Sequence, residues 1–344
     1  MIPVAVITGF LGSGKTTLLA HLLRDPAMCR AAVIINEFGA VGLDHELVRT
    51  SDESFVRLSN GCLCCNVRSD LVLTLGDLAA RRAAGTVPKF ERVVVETTGL
   101  ADPAPILHAL MTDRDLCDVY ALDGVVTTVD ALTGLATLQQ HEVSRRQVAV
   151  ADRIVLTKTD LPGAQAGATT ARIAALNPGA PVLAVMRGAV APAALFDSGI
   201  YEVSGKHPDV QAWLAHEAVA AASGHAHHHH DDDITSFCIL RQEPLRAVTL
   251  ALLLSALAEN CGTDLLRLKG IVQVAERPDR PAVIHGVQHV YHAPVWLDAW
   301  PSEDRRTRMV FIGRNIRESW VRNLIELLDA EVADEIARRA RTFA

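Results

Sequence analysis

Gly9-Phe-Leu-Gly-Ser-Gly-Lys-Thr-Thr17 limits what this chain can fold into more than any other stretch. It follows Ile2-Pro-Val-Ala-Val-Ile-Thr8, a short apolar run that reads as a buried strand, and it opens the helical segment Lys15 to Arg24. Gly9-x4-Gly14-Lys15-Thr16 is therefore the P-loop pattern in a strand–loop–helix context. Glycines let successive backbone N–H groups turn inward onto phosphate oxygens, and the helix start adds its positive dipole end. The expected phosphate cradle is Gly9, Gly12, Ser13, Gly14, Lys15, Thr16 and Thr17, with Lys15 reaching the β- and γ-phosphates and the Thr16 hydroxyl taking Mg2+. A ligand-free glycine-rich turn is the alternative, and the complete pattern argues against it. A nucleoside triphosphate is the implied ligand.

Such a cradle needs an acid for the metal and the γ-phosphate. Val93-Val-Val-Glu-Thr-Thr-Gly99 supplies Glu96 at the end of an apolar strand and Gly99 three residues later. Glu96 is expected to act on Mg2+, and the Gly99 N–H to face the γ-phosphate. Lys15, Thr16, Glu96 and Gly99 thus form the expected catalytic set. Base choice should come from Thr157-Lys158-Thr159-Asp160, which follows the run Arg153 to Thr157. The usual guanine-reading pattern is Asn-Lys-x-Asp. Lys158 and Asp160 keep it, whereas Thr157 replaces the asparagine with a weaker neutral acceptor. GTP is expected over ATP.

The chain has 344 residues, enough for one large or two ordinary domains. Apolar runs alternate with helical patterns: strands at Ala31 to Asn36, Arg92 to Glu96, Val125 to Val129 and Pro181 to Val185, and a helix at Asn66 to Ala84 with Leu71, Leu75 and Leu78 on one face. Strands without polar alternation, separated by helices, imply a mostly parallel sheet covered on both faces. The fold class is α/β: a P-loop domain over 1–219, a His/Asp-rich linker over 220–234, and a smaller α+β domain over 235–344. In the last, Thr235 to Leu240, Met309 to Ile312 and the interrupted run Ala282 to Trp296 read as strands, and Thr249 to Glu259 and Asn315 to Arg341 as helices. Net charge is −7 with no Lys/Arg stripe, which argues against nucleic acid and against a polybasic membrane patch. Apolar runs are too short and interrupted for a transmembrane helix. The first residues lack a signal peptide's pattern, so the cytoplasm is expected.

With Gly9-Phe-Leu-Gly-Ser-Gly-Lys-Thr-Thr17, Ile35-Asn-Glu-Phe-Gly-Ala-Val-Gly-Leu-Asp44, Ser59-Asn-Gly-Cys-Leu-Cys-Cys65, Glu96-Thr-Thr-Gly-Leu-Ala-Asp-Pro103 and the Thr157–Asp160 stretch in this order, the chain resembles the CobW/YjiA-type P-loop GTPases. The resemblance continues through Arg267 to Val274, His285 to His292 and Thr307 to Ile316, which look like that family's C-terminal domain. It implies a GTP-hydrolysing metallochaperone or insertase linked to zinc homeostasis, cobalt for cobalamin synthesis, or nitrile hydratase maturation. It also implies switch-like roles for Asn36, Glu37 and Phe38 and for Glu96 through Gly99, and a transported metal at Cys62, Cys64 and Cys65. A client apo-metalloenzyme is the implied partner, and a homodimer is compatible. A non-catalytic metal buffer or sensor, holding nucleotide as a structural ligand, is the competing reading.

Thiolates suit Zn2+ and also accept Co2+. Cys62, Cys64 and Cys65 offer too few sulfurs to close a tetrahedral site alone, which suits a carrier that must release its metal. Water, Glu37, another side chain or a group on the receiving protein would complete it. Redox chemistry is the weaker alternative because adjacent cysteines form a strained disulfide, and packing in a core is the other. Four of the seven cysteines, Cys29, Cys117, Cys238 and Cys261, are expected as small core residues. His225, His227, His228, His229 and His230, followed by Asp231 to Asp233, form a tract expected to collect divalent metal weakly. His285, His289 and His292 read as strand-surface or core residues. No arginine finger is identifiable within the chain, so unaided hydrolysis should be slow, roughly 10⁻⁴ to 10⁻² s⁻¹.

Overall fold

The computed structural model describes residues 1–35, 55–57, 67–196 and 234–342. Its contacts divide the chain into two compact units, Met1–Glu202 and Val203–Ala344. The boundary and linker expected around 219–234 fall almost wholly on residues 197–233, outside the described residues.

Unit one is built on strands β1 (Ile2–Gly9), β2 (Ala31–Ile35), β3 (Phe55–Arg57), β4 (Arg92–Glu96), β5 (Tyr120–Asp130), β6 (Arg153–Thr157) and β7 (Val182–Ala184). They form one sheet in the order β3-β2-β4-β1-β5-β6-β7, and every pairing is parallel. Helices α1 (Lys15–Leu22), α2 (Val67–Ala83), α3 (Ala104–Thr112), α4 (Arg114–Cys117), α5 (Gly134–Gln140), α6 (Glu142–Ala149) and α7 (Ala166–Leu176) connect them. Parallel crossovers bury both sheet faces, which is why Val93, Val94 and Val95 are all fully buried without alternation. Ile7, Val94, Val126 and Val155 pack with Leu18, Leu19 and Leu22 of α1, and Leu71, Leu75 and Leu78 of α2 are buried as one stripe.

Strand β5 begins five residues before the apolar run that announced it. Tyr120 and Leu122 continue its buried face, whereas Asp123 interrupts the apolar pattern and pairs with Arg92 at 3.1 Å. The Tyr120 hydroxyl donates to the Leu75 carbonyl at 2.9 Å, and burial pushes its pKa up to about 12. Cys29 departs from the expected core position. It is exposed, because it closes the short 3-10 turn Pro26–Met28 at the surface. Cys117, Cys238 and Cys261 are half-buried, and burial with a nearby aspartate raises the thiol pKa of both Cys117 and Cys261. Among the described residues no helix is long and apolar enough to cross a membrane.

Unit two is an α+β layer. Strands β8 (Ile234–Arg241), β9 (Leu265–Val272), β10 (Ala282–Val287), β11 (Val290–Tyr291), β12 (Val295–Trp296) and β13 (Thr307–Arg314) pair antiparallel in the order β11-β10-β9-β13-β8, with β12 on β10. The run Ala282 to Trp296 becomes three short strands, the first break falling where Gln288 adopts a left-handed φ of 54°. Helices α8 (Ala247–Cys261) and α9 (Glu318–Thr342) cover one face, packing Leu250, Leu253, Leu257, Val321 and Ile325 onto Leu268, Ile284, Met309 and Phe311. Of the three histidines, His285 is buried on β10, His289 is exposed and His292 half-buried.

Phe311 is fully buried opposite Phe237 in the β13–β8 register, with ring centroids 5.1 Å apart. Phe311→Ala should lower the stability of this unit by about 3–5 kcal/mol, through lost transfer energy and the cavity left behind. Denaturant unfolding of the full chain followed by circular dichroism measures it.

Candidate nucleotide site at the head of the parallel sheet

The site forms because β1 lies between β4 and β5. Register places Ile7 beside Glu96, Gly9 beside Thr128, and, one strand further, Asp130 beside Thr157. The chemistry-bearing residues therefore meet at the C-terminal ends of adjacent strands, where open α/β sheets bind ligands.

Gly9 ends β1 at φ 143°, and a Cβ there would lie 2.3 Å from Thr128 Oγ1 and 2.4 Å from the Thr128 carbonyl oxygen. No other residue fits. Gly12 is exposed in the loop, and Gly14, at φ 97°, directly precedes α1 and supplies the carbonyl for its first helical bond, from Leu18 N–H at 2.9 Å. Hydroxyls make up the floor. Ser13 Oγ lies 2.6 Å from Thr128 Oγ1, which donates to the Thr8 carbonyl at 3.3 Å, and Thr97 donates to Thr8 Oγ1 at 2.8 Å. All four side chains are buried, so each bond is made where an unpaired hydroxyl would be costly.

Above this floor, Lys15 Nζ donates to the carbonyls of Gly9 and Phe10 at 2.9 and 3.1 Å, which keeps its charge at the cradle. Thr16 Oγ1 donates to Glu96 Oε1 at 3.0 Å, and Glu96 is buried. Thr17 is exposed on α1. Gly99 packs directly on the loop: a Cβ there would meet Leu11 N at 2.7 Å and Leu11 Cα at 2.8 Å. A hydroxyl and a carboxylate held together at a phosphate cradle are hard oxygen donors, a set suited to Mg2+.

The nucleotide-binding-domain profile of the CobW/HypB/UreG family matches residues 3–184, and the cobalamin synthesis protein CobW C-terminal domain matches residues 234–328. The chain belongs to the CobW/HypB/UreG GTPase family. It is 35% identical over 323 residues to the zinc chaperone YjiA of Escherichia coli, covering 93% of this chain and 96% of that one. The zinc chaperone CobW of Pseudomonas aeruginosa is 33% identical over 367 residues, covering 94% and 90%. The crystal structure of Zn(II)-bound YjiA GTPase from E. coli superposes with a TM-score of 0.68 at 29% identity, over 95% of this chain and 98% of that one. A Zn(II)-bound triple mutant of YjiA, with one glutamate and two cysteines changed to alanine, superposes equally well.

In this GTPase the loop after β6 is tied back to the P-loop through Thr157. Thr157 is buried, and its hydroxyl donates to the Ser13 carbonyl at 2.7 Å. Lys158 follows at a left-handed φ of 56°, its ammonium 3.9 Å from Asp130 Oδ2, and Asp160 is exposed. Sequence reasoning missed Asp130. Its Oδ1 accepts from the N–H groups of Leu132 and Thr133 at 3.0 and 2.6 Å, holding the turn before α5. An aspartate closing an apolar run ahead of threonine was the available signal. Asn36, Glu37, Phe38, Cys62, Cys64, Cys65 and His225, His227, His228, His229 and His230 lie outside the described residues. Among the described residues no cluster of three or more His, Cys, Asp or Glu side chains is disposed to hold a metal ion.

Two substitutions separate tethering from base reading. Thr157→Val should weaken GTP and GDP alike by about 2- to 10-fold, the worth of one neutral hydrogen bond. Asp160→Ala should instead lower the preference for GTP over ATP by about 10- to 100-fold, the worth of bonds to a charged group. Calorimetric titration of each variant with GTP, GDP and ATP checks both.

Proposed function

We propose that this chain is a GTP-hydrolysing zinc chaperone that loads Zn2+ on Cys62, Cys64 and Cys65 with Glu37, and passes it to a client metalloprotein as GTP turns over. The observation that carries the nucleotide half is the Thr16–Glu96 contact of 3.0 Å beside Lys15 at the P-loop. The metal half is supported by the thiolate triplet in the sequence and by two relatives of nearly the same length whose names call them zinc chaperones. Co2+ suits the same sulfurs and is the second candidate cargo.

In the reaction, water attacks the γ-phosphorus of GTP while its bond to the bridging oxygen breaks, giving GDP and inorganic phosphate. Charge grows on the oxygens around that bond, and the Lys15 ammonium with the P-loop N–H groups lies where it can be neutralised. Thr16 and Glu96 are the residues that would hold Mg2+, which when bound screens the β- and γ-phosphate oxygens. Gly99, packed on Leu11, brings the loop after β4 against the P-loop, so the presence of a γ-phosphate can be registered there. Through Glu37 and Cys62, Cys64 and Cys65, that difference would be passed to the metal. The tract His225 to His230 would gather metal weakly for the thiolates.

The test compares Zn2+ affinity with Mg2+ and a non-hydrolysable GTP analogue against affinity with Mg2+ and GDP. Zn2+ should bind at least about 10-fold tighter in the triphosphate state, a coupling within the usual allosteric range. Equal affinities would remove the gating, and persistent absence of phosphate release would leave a metal buffer. Cys64→Ser with Cys65→Ser should abolish the difference between nucleotide states. Since the relative's triple mutant still carries Zn(II) in its crystal, that difference is the informative readout, not the mere presence of zinc.

A further inference from the structure

Helix α6 touches the nucleotide site at both ends. His141, its N-cap, stacks on Phe10 of the P-loop, with ring centroids 4.6 Å apart and planes 22° from parallel. Further along, Arg146 Nη1 donates to Asp102 Oδ2 at 2.9 Å while its Nε and Nη2 engage Glu142 at 3.0 and 2.8 Å. Gln147, the next residue of the helix, is fully buried. Its side-chain nitrogen donates to the Ala101 carbonyl at 3.0 Å and to the Gly99 carbonyl at 3.3 Å.

The chemistry of the partners sets the amide's orientation. Two carbonyls can only accept, so the NH2 group must face them. Gln147 Oε1 is then left buried without a hydrogen-bond partner. Gly99 is gripped on two sides, its Cα against the Leu11 backbone and its carbonyl on Gln147. Its N–H is the group assigned above to the γ-phosphate.

We propose that Gln147 is the positioning residue of the loop after β4: its amide orients the Gly99 and Ala101 peptides and so decides whether the Gly99 N–H meets a γ-phosphate. The inference rests on the GTPase reading above. A glutamine amide rotates about a broad, roughly two-fold terminal torsion. Half a turn exchanges the two donated bonds for an acceptor facing the loop without changing the volume filled. The partnerless Oε1 thus equips the side chain to follow a peptide that turns over when triphosphate arrives. The Phe10–His141 stack holds the same helix to the P-loop, so both walls of the γ-phosphate position refer to one element.

Gln147→Leu removes the amide at similar volume. Gln147→Glu keeps the shape but, when ionised, only accepts. Both are measured as full-length protein with Mg2+, reading affinity for GDP and for a non-hydrolysable GTP analogue, and kcat and KM for GTP. In Gln147→Leu, GDP affinity should stay within about twofold of wild type, analogue affinity should fall about 10-fold, and kcat should fall about 10- to 100-fold. In Gln147→Glu, the same deficit should shrink as pH falls, because a protonated carboxyl regains one donor for a carbonyl. Equal losses for GDP and analogue in Gln147→Leu, or a Gln147→Glu deficit that does not move with pH, would overturn the proposal and leave Gln147 a packing residue. If Gln147→Leu fails to fold, the pH series on Gln147→Glu decides alone. The ratio of analogue to GDP affinity needs no zinc, so a wild type that discriminates nucleotides but moves no metal ends the chaperone reading and leaves this one standing.

Discussion

At the end of β1 the chain comes so close to β5 that no side chain fits. Gly9 faces Thr128 at distances a Cβ could not occupy, and the loop that follows rests on the Thr128 hydroxyl through Ser13. From that contact the rest is assembled. The P-loop turns there, α1 starts at Lys15, and the Thr16 hydroxyl arrives beside Glu96 on the neighbouring strand. A larger residue at Gly9 would push the loop off its hydroxyl floor, and the cradle, the acid and the loop after β6 would lose a common reference.

The hydroxyl floor is an economical answer to a buried polar problem. Strand ends leave backbone groups that must be paired once helices cover the sheet. Thr8, Ser13, Thr97 and Thr128 pair mostly with one another, and Thr128 also satisfies the Thr8 carbonyl, with short side chains that take little room. Thr157 extends the pattern by reaching the Ser13 carbonyl. The second unit solves a different problem. Its antiparallel sheet lays one apolar face under α8 and α9, and together they form its core.

Much of this was legible in the sequence because it is local. A P-loop needs its residues within one turn of chain, so spacing alone located Gly9 to Thr17, and β-branched runs located β1, β4 and β6. Other features are not local. Asp123 hid the first half of β5, because its pairing with Arg92 depends on a strand elsewhere in the sheet. Cys29 reads as a small apolar residue, and only the turn it closes places it at the surface. Nothing in Glu142-Val-Ser-Arg-Arg-Gln-Val-Ala149 announces that Gln147 will reach residues more than forty positions away.

The sequence by itself determined the kind of chemistry at the nucleotide site, a phosphate-cradle pattern with an acid closing an apolar strand, and it raised the expectation of a guanine-type loop and of metal-binding thiols and imidazoles. Those follow from residue type and short spacing, which backbone geometry converts directly into donors and acceptors. Tertiary structure alone decided which groups act on one another: Thr16 on Glu96, Thr157 on the P-loop, Gly99 on Leu11, and α6 on both walls of the site. The reason is that hydrogen bonds and close packing depend on ångström distances between strands far apart in the chain. Only the order in which the strands lie in the sheet sets those distances.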